Sequence, residues 1–276
     1  MVLTRPACHH RHPYLFLESE RSMKLLALAS VAVALSLPMG AVQAQSSGTA
    51  KKPAATKKAP AKAPAKKTVK AAPKKRVPSK TAKAVESVTP VQTLTQRLTE
   101  RLPNSQVVGE EAVAADDSIL DRLERPGAVW VIDPVDGTSN FAQGRPTFCV
   151  IIALVLDGVT VQGWIHDPLP NHTTTAVLGQ GAWKEGRRLT ITDNTPLEKM
   201  TGSVGIRKNE RLNHVVAHMM RQGSAGHDYL ALTDGRLHFA SFRRLRPWDH
   251  AAGVLLHQEA GGYSALLDGS PYRPVY

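Results

Sequence analysis

An apolar run that ends in two acids constrains this chain most. Ala128-Val129-Trp130-Val131-Ile132 leads directly into Asp133-Pro134-Val135-Asp136-Gly137-Thr138. The β-branched run reads as a buried strand, and Asp-Pro followed by Asp-Gly predicts that it stops at Ile132 in a turn. A strand ending this way delivers two carboxylates to one sheet edge, where they repel each other unless a cation sits between them. The Gly-Thr that follows offers backbone N–H groups and a hydroxyl, which suit a phosphate. The stretch therefore predicts a divalent metal held beside a phosphate.

Composition divides the chain. The formal charge of +12 misleads, because no acidic residue falls between Gln45 and Val85, where lysines cluster. From Glu86 onward there are about 18 basic and 21 acidic residues, a balance near −3. Residues 1–22 are rich in His, Arg and Pro without periodicity and read as a leader foreign to the mature protein, with Met23 as the expected start. Residues 23–44 have a basic start and a short apolar stretch that closes on Ala41-Val42-Gln43-Ala44, the layout of a signal peptide cleaved after Ala44. The protein is then periplasmic or otherwise exported if that signal is used, and cytoplasmic if it is not. Residues 45–85 form a Lys/Ala/Pro tract that buries too little apolar surface to fold, so a disordered linker is expected. The tract could touch polyanions electrostatically, but it has no aromatics to stack on bases, which argues against specific nucleic-acid recognition. The folded domain is expected over 86–276. Two cysteines, Cys8 and Cys149, make no disulfide framework, and Cys149 sits in an apolar run as a reduced core residue.

Within that domain the periodicity predicts helices at Val91–Leu102, Asp116–Leu123, His214–Met220, Ala225–Leu232 and Trp248–Ala260. Strands are expected at Gln106–Val108, Ala128–Ile132, Phe148–Leu156, Val159–Ile165, Thr173–Leu178 and around Trp183–Leu189, with a hairpin turn at Asp157-Gly158. Helices and strands mix without strict alternation, which places the chain in the α+β class with a layered architecture. Two further acids join the set. Glu110 follows a strand and a glycine, and Asp249 stands just inside a helix start. Either residue alone reads equally well as a surface acid or as an acid offsetting a helix dipole. Together with Asp133 and Asp136 they make an all-oxygen donor set from separate segments, which suits a hard cation such as Mg²⁺ rather than zinc.

Val108-Gly109-Glu110-Glu111, the Trp130–Phe141 stretch and Trp248-Asp249-His250-Ala251-Ala252-Gly253 together resemble the three signatures of the inositol monophosphatase family. The resemblance runs from about Pro90 to Tyr276. It implies an α-β-α-β-α sandwich, and the chain reads as incomplete at that sandwich's N- and C-terminal elements. It also implies Mg²⁺, two or three ions per site, inhibition by lithium, and hydrolysis of inositol monophosphate or a related small polyol or sugar phosphate by metal-activated water. By the same resemblance Glu110, Asp133 and the Val135 carbonyl hold one metal, while Asp133, Asp136 and Asp249 hold a second. Gly137 and Thr138 contact the phosphate, and the Thr138 hydroxyl helps to position the attacking water. Gly223, Ser224 and Ala225 match the substrate-contact segment, and Asp136 and Asp249 are expected to contact the substrate as well. A homodimer is a further expectation.

Departures from the pattern open alternatives. Where inositol phosphatases often carry a Glu that grips substrate hydroxyls, this chain has Phe242 followed by Arg243 and Arg244. The Asp that partners the water-positioning Thr has no match: Ser87 stands there by spacing, Gln92 by pattern, with Glu86 nearby. The rival readings are a phosphatase for 3'(2'),5'-bisphosphate nucleotides or histidinol phosphate, and a catalytically weak phosphatase-like binding protein.

Overall fold

The computed structural model describes residues 1–4, 90–191, 195–205 and 214–275. The expected leader beyond Thr4, the signal segment 23–44, the basic linker 45–85, and both Glu86 and Ser87 lie outside the described residues.

Two mixed sheets carry the fold, as an α+β protein requires. The larger one orders seven strands as β2 (Gln106–Gly109), β3 (Ala128–Asp136), β4 (Cys149–Leu156), β5 (Val159–Asp167), β6 (His172–Val177), β7 (Gly181–Lys184) and β8 (Arg187–Arg188). Only β2 and β3 run parallel; the rest is an antiparallel meander built on short turns. The smaller sheet has five strands in the order β10 (His218–Met220), β9 (Thr201–Val204), β11 (Phe239–Ser241), β1 (Val2–Thr4) and β12 (Tyr263–Ala265).

Helix α1 (Pro90–Arg101) starts on a proline, whose missing N–H is no loss in a first turn. It buries Leu94 and Leu98, one turn apart, against β2 and β3. Short helices follow at α2 (Glu110–Ala115) and α3 (Thr138–Ala142). The two principal helices, α4 (Ala225–Thr233) and α5 (Pro247–Glu259), pack on each other, and both touch both sheets. Such a position demands helices without a wet face, and Gly226–Thr233 is buried throughout. Close approach of α5 to β5 depends on Gly163, where a Cβ would stand 2.9 Å from the Ala252 Cα. Gly163→Ala should therefore destabilise the fold by about 1–3 kcal/mol, read as a lower denaturant midpoint at unchanged slope. Among the described residues no helix is long and apolar enough to cross a membrane.

Three of the expected elements differ in the structure. Strand β3 does not stop at Ile132 but continues through Asp133, Pro134 and Val135 to Asp136. Residues 214–220 are not helical; a turn at 214–217 leads into β10, which pairs parallel to β9. Parallel pairing of His218–Met220 with Thr201–Ser203 overrides the apparent helical spacing there. The helix expected over Asp116–Leu123 is a 3₁₀ segment, Asp117–Leu123, with the Asp116 carboxylate accepting from the Ser118 N–H at 3.0 Å.

Candidate metal centre

Residues three apart on a regular strand point to opposite faces, so Asp133 and Asp136 could not meet on an ideal β3. The pairing with β4 shows how they do. Asp133 lies opposite Ile151 and Asp136 opposite Cys149, three steps on one strand against two on the other. The extra residue is a bulge at Pro134-Val135, where proline has no N–H to give the ladder. The bulge returns both carboxylates to one side. Strand β3 then ends in Gly137, whose left-handed conformation (φ +87°) starts α3, and a Cβ there would meet the Thr147 carbonyl at 2.8 Å.

The third acid comes from α5. Pro247 opens that helix, Asp249 stands in its first turn, and oxygens of Asp133, Asp136 and Asp249 lie within 4.8 Å of one another. Glu110, the first residue of α2, is outside this trio but close enough to act on it by charge. Asp136 is the best held of the three. Its carboxylate accepts from the Ser224 hydroxyl at 2.5 Å, the Ala225 N–H at 3.1 Å and the Gly226 N–H at 2.7 Å. Asp133 accepts from the Val135 N–H at 2.9 Å, and the Val135 carbonyl accepts from the Thr138 hydroxyl at 3.0 Å.

The electrostatics follow from this crowding. Burial, reinforced by Asp136, Glu110 and Asp249, pushes the Asp133 carboxyl up to about 9. Burial, then Asp136 and Glu110, raises Asp249 to about 7, against the opposing pull of Arg246 and a hydrogen bond with Asp133. Burial, Glu111 and Asp136 raise Glu110 as well. Without a cation, these side chains keep protons that free carboxylic acids would lose. An all-carboxylate corner that resists its own ionisation has the chemistry of a site for a hard divalent cation.

Ala225 and Ser224, two of the remaining expected residues, fall beside this corner. Ala225 and Asp249 line one cavity of about 440 Å³, and Ser224 is buried against Asp136. Asn140 of α3 donates to the carbonyls of Thr147 (2.7 Å) and Gln222 (2.8 Å), tying α3 to the segment before α4. Gln92 stands in the first turn of α1. Sequence reasoning missed the support behind Asp136. His227 lies 3.1 Å through Nδ1 from the Ser224 hydroxyl and 3.3 Å through Nε2 from Asp167 on β5. A Ser preceding a helix by one residue is an N-cap signal, and Ser224 does accept from the His227 N–H. Nothing in that signal says the same hydroxyl reaches an acid 88 residues away.

Known proteins resemble this chain in sequence and in fold. The sequence model of the inositol monophosphatase family matches residues 41–275. The fructose-1,6-bisphosphatase/inositol-1-monophosphatase of Thermotoga maritima is 35% identical over 166 residues, 58% of this chain and 64% of the relative. Inositol monophosphatase 2 of Solanum lycopersicum is 31% identical over 189 residues, 63% of this chain and 71% of the relative. The chain thus spans about two thirds of the length of these curated relatives. The solved Thermotoga maritima IMPase superposes with a TM-score of 0.59 at 29% identity, covering 67% of this chain and 71% of that one. Inositol monophosphatase II of Staphylococcus aureus superposes with a TM-score of 0.58 at 27% identity, covering 65% and 69%.

Proposed function

The chain belongs to the inositol monophosphatase family, and on that premise we propose that it is a phosphoric monoester hydrolase that uses Mg²⁺ and water to release phosphate from a small polyol or sugar phosphate. The observation that carries the reading is the meeting of Asp133, Asp136 and Asp249, from two segments more than a hundred residues apart, in one corner. These three would hold Mg²⁺, with Glu110 and the Val135 carbonyl at its rim. When bound, the metal polarises the phosphoryl oxygens and lowers the pKa of water.

The protein's own groups do the positioning. Gly137 and Thr138 are assigned to the phosphate, because the bulge and the left-handed glycine bring the start of α3 beside the carboxylates. The Thr138 hydroxyl, anchored on the Val135 carbonyl, is assigned to orienting the attacking water. Ser224, Ala225 and Gly226 hold the Asp136 carboxylate in place. Gly223 and Ala225 are assigned to the substrate, Ala225 from the wall of the adjoining cavity.

The experiment is a phosphate-release assay on the full chain over inositol, sugar and alkyl phosphates, with and without Mg²⁺. Turnover that needs Mg²⁺ and is suppressed by lithium supports the reading; absence of turnover on the whole panel contradicts it. A second prediction isolates the support behind Asp136. Ser224→Ala should weaken Mg²⁺ binding by about tenfold to a hundredfold in calorimetry. It should also lower stability by about 1 kcal/mol through loss of the α4 cap.

A further inference from the structure

The cavity that contains Asp249 is also lined by Arg221, Arg243, Arg244, Phe242 and His250. Three arginines therefore line the space next to the acidic corner, in a domain whose overall charge is slightly negative. Among the described residues no salt bridge engages any of the three. Arg221 comes from the segment before α4, and Arg243 and Arg244 from the turn after β11, so only the fold brings them together.

That turn is held in place. The His250 Nε2–H donates to the Arg244 carbonyl at 2.8 Å, and the Tyr229 hydroxyl is 2.9 Å from Nδ1 on the other edge of the ring. A carbonyl can only accept, so the proton sits on Nε2 and the neutral ring accepts from Tyr229. Burial accordingly lowers the His250 pKa to about 4. Phe242 is turned inward, stacked on Tyr229 at 5.5 Å and tilted against His250 at 4.7 Å. With Phe242 facing the core, the exposed side chains that this turn offers the cavity are cationic. Because His250 directly follows Asp249, the arginine-bearing backbone is registered to the acidic corner through one buried ring.

Guanidinium groups with free forks select oxyanions, phosphate and carboxylate above all, whereas neutral hydroxyls gain little from them. A cavity of about 440 Å³ is in the range that holds a small metabolite whole. We propose that this cavity is a second-anion site: the substrate is a phosphate monoester carrying another phosphate or a carboxylate, gripped by Arg243 and Arg244 with Arg221. This inference rests on the phosphatase reading above, with the acidic corner taking the phosphate that is cleaved.

The test compares alkanediol bisphosphates of three to six carbons with the matching monophosphates, using the full chain in Mg²⁺. The expected result is a kcat/KM about tenfold higher for the best bisphosphate, through KM, since partly exposed charge-assisted contacts have this size. In R243A/R244A that preference should shrink to within about twofold, while Arg243→Lys/Arg244→Lys should restore part of it. Equal kcat/KM values for the two ligands, or a preference untouched in R243A/R244A, overturn the proposal. If neither ligand is hydrolysed, the phosphatase reading fails on its own, and calorimetric binding of the same pair decides the anion site. Tighter bisphosphate binding that R243A/R244A abolishes sustains it; equal binding overturns it.

Discussion

Asp133→Asn should make the metal-free protein more stable and the enzyme inactive. In the native state Asp133 is buried beside Asp136, Glu110 and Asp249 and keeps its proton up to about pH 9. An unfolded chain would release that proton near pH 4. At pH 7 the folded state therefore carries a cost that a neutral amide avoids, and the variant should gain roughly 2–4 kcal/mol in the presence of a chelator. The same substitution removes an oxygen anion from the centre of the proposed metal site. Phosphate release in Mg²⁺ should fall by at least about 10³-fold, as expected for loss of a group that stabilises charge in the transition state. Thermal unfolding and phosphate release on one preparation check both halves. A variant less stable than its parent without metal would show that Asp133 is an ordinary buried acid with satisfied partners.

The pH dependence of stability should flatten on adding Mg²⁺. Asp133 and Asp249 have native pKa values raised to about 9 and about 7. The native state then binds more protons than the unfolded chain from about pH 4 upward, so these groups lose stability as pH rises. His250 acts oppositely. Its native value of about 4 lies below the ordinary 6.5, so it adds stability as pH climbs through that interval. Of these three groups only the carboxylates still act above pH 6.5. The metal-free melting temperature should fall between pH 6.5 and 9. Saturating Mg²⁺ holds these carboxylates ionised, as they are in the unfolded chain, and should flatten that slope. At 100 times its dissociation constant the metal should add about 2.7 kcal/mol, or roughly 5–10 °C for a domain of this size. Identical melting profiles with chelator and with Mg²⁺ would count against the site.

The acids themselves were legible in the sequence because each stands beside a punctuating residue. Gly109 precedes Glu110, Pro134 separates Asp133 from Asp136, and Pro247 precedes Asp249. What spacing could not supply was the geometry. Pro134 reads as a strand terminator, yet β4 pairs on both sides of it, and the interruption becomes a bulge that aligns the two acids. Strands β9 and β11 escaped notice because Thr201–Val204 and Phe239–Ser241 are short, contain Gly or Ser, and pair only across long sequence separations. The same long-range pairing set residues 214–220 as a turn and strand against their apparent helical period. Ser224 and Arg221 were invisible in these roles for a related reason. One reaches Asp136 and the other shares a cavity with Arg243 only after the smaller sheet and α4 are in place.

The central claim is that Asp133, Asp136 and Asp249 form a metal centre, and calorimetric titration of the full chain with Mg²⁺ near pH 7.5 tests it most directly. Run in two buffers of different ionisation enthalpy, it reports both binding and the protons displaced. The account predicts binding accompanied by net proton release, chiefly from Asp133, and loss of that release in Asp133→Asn. Absence of binding, or binding with no proton exchanged, would contradict it.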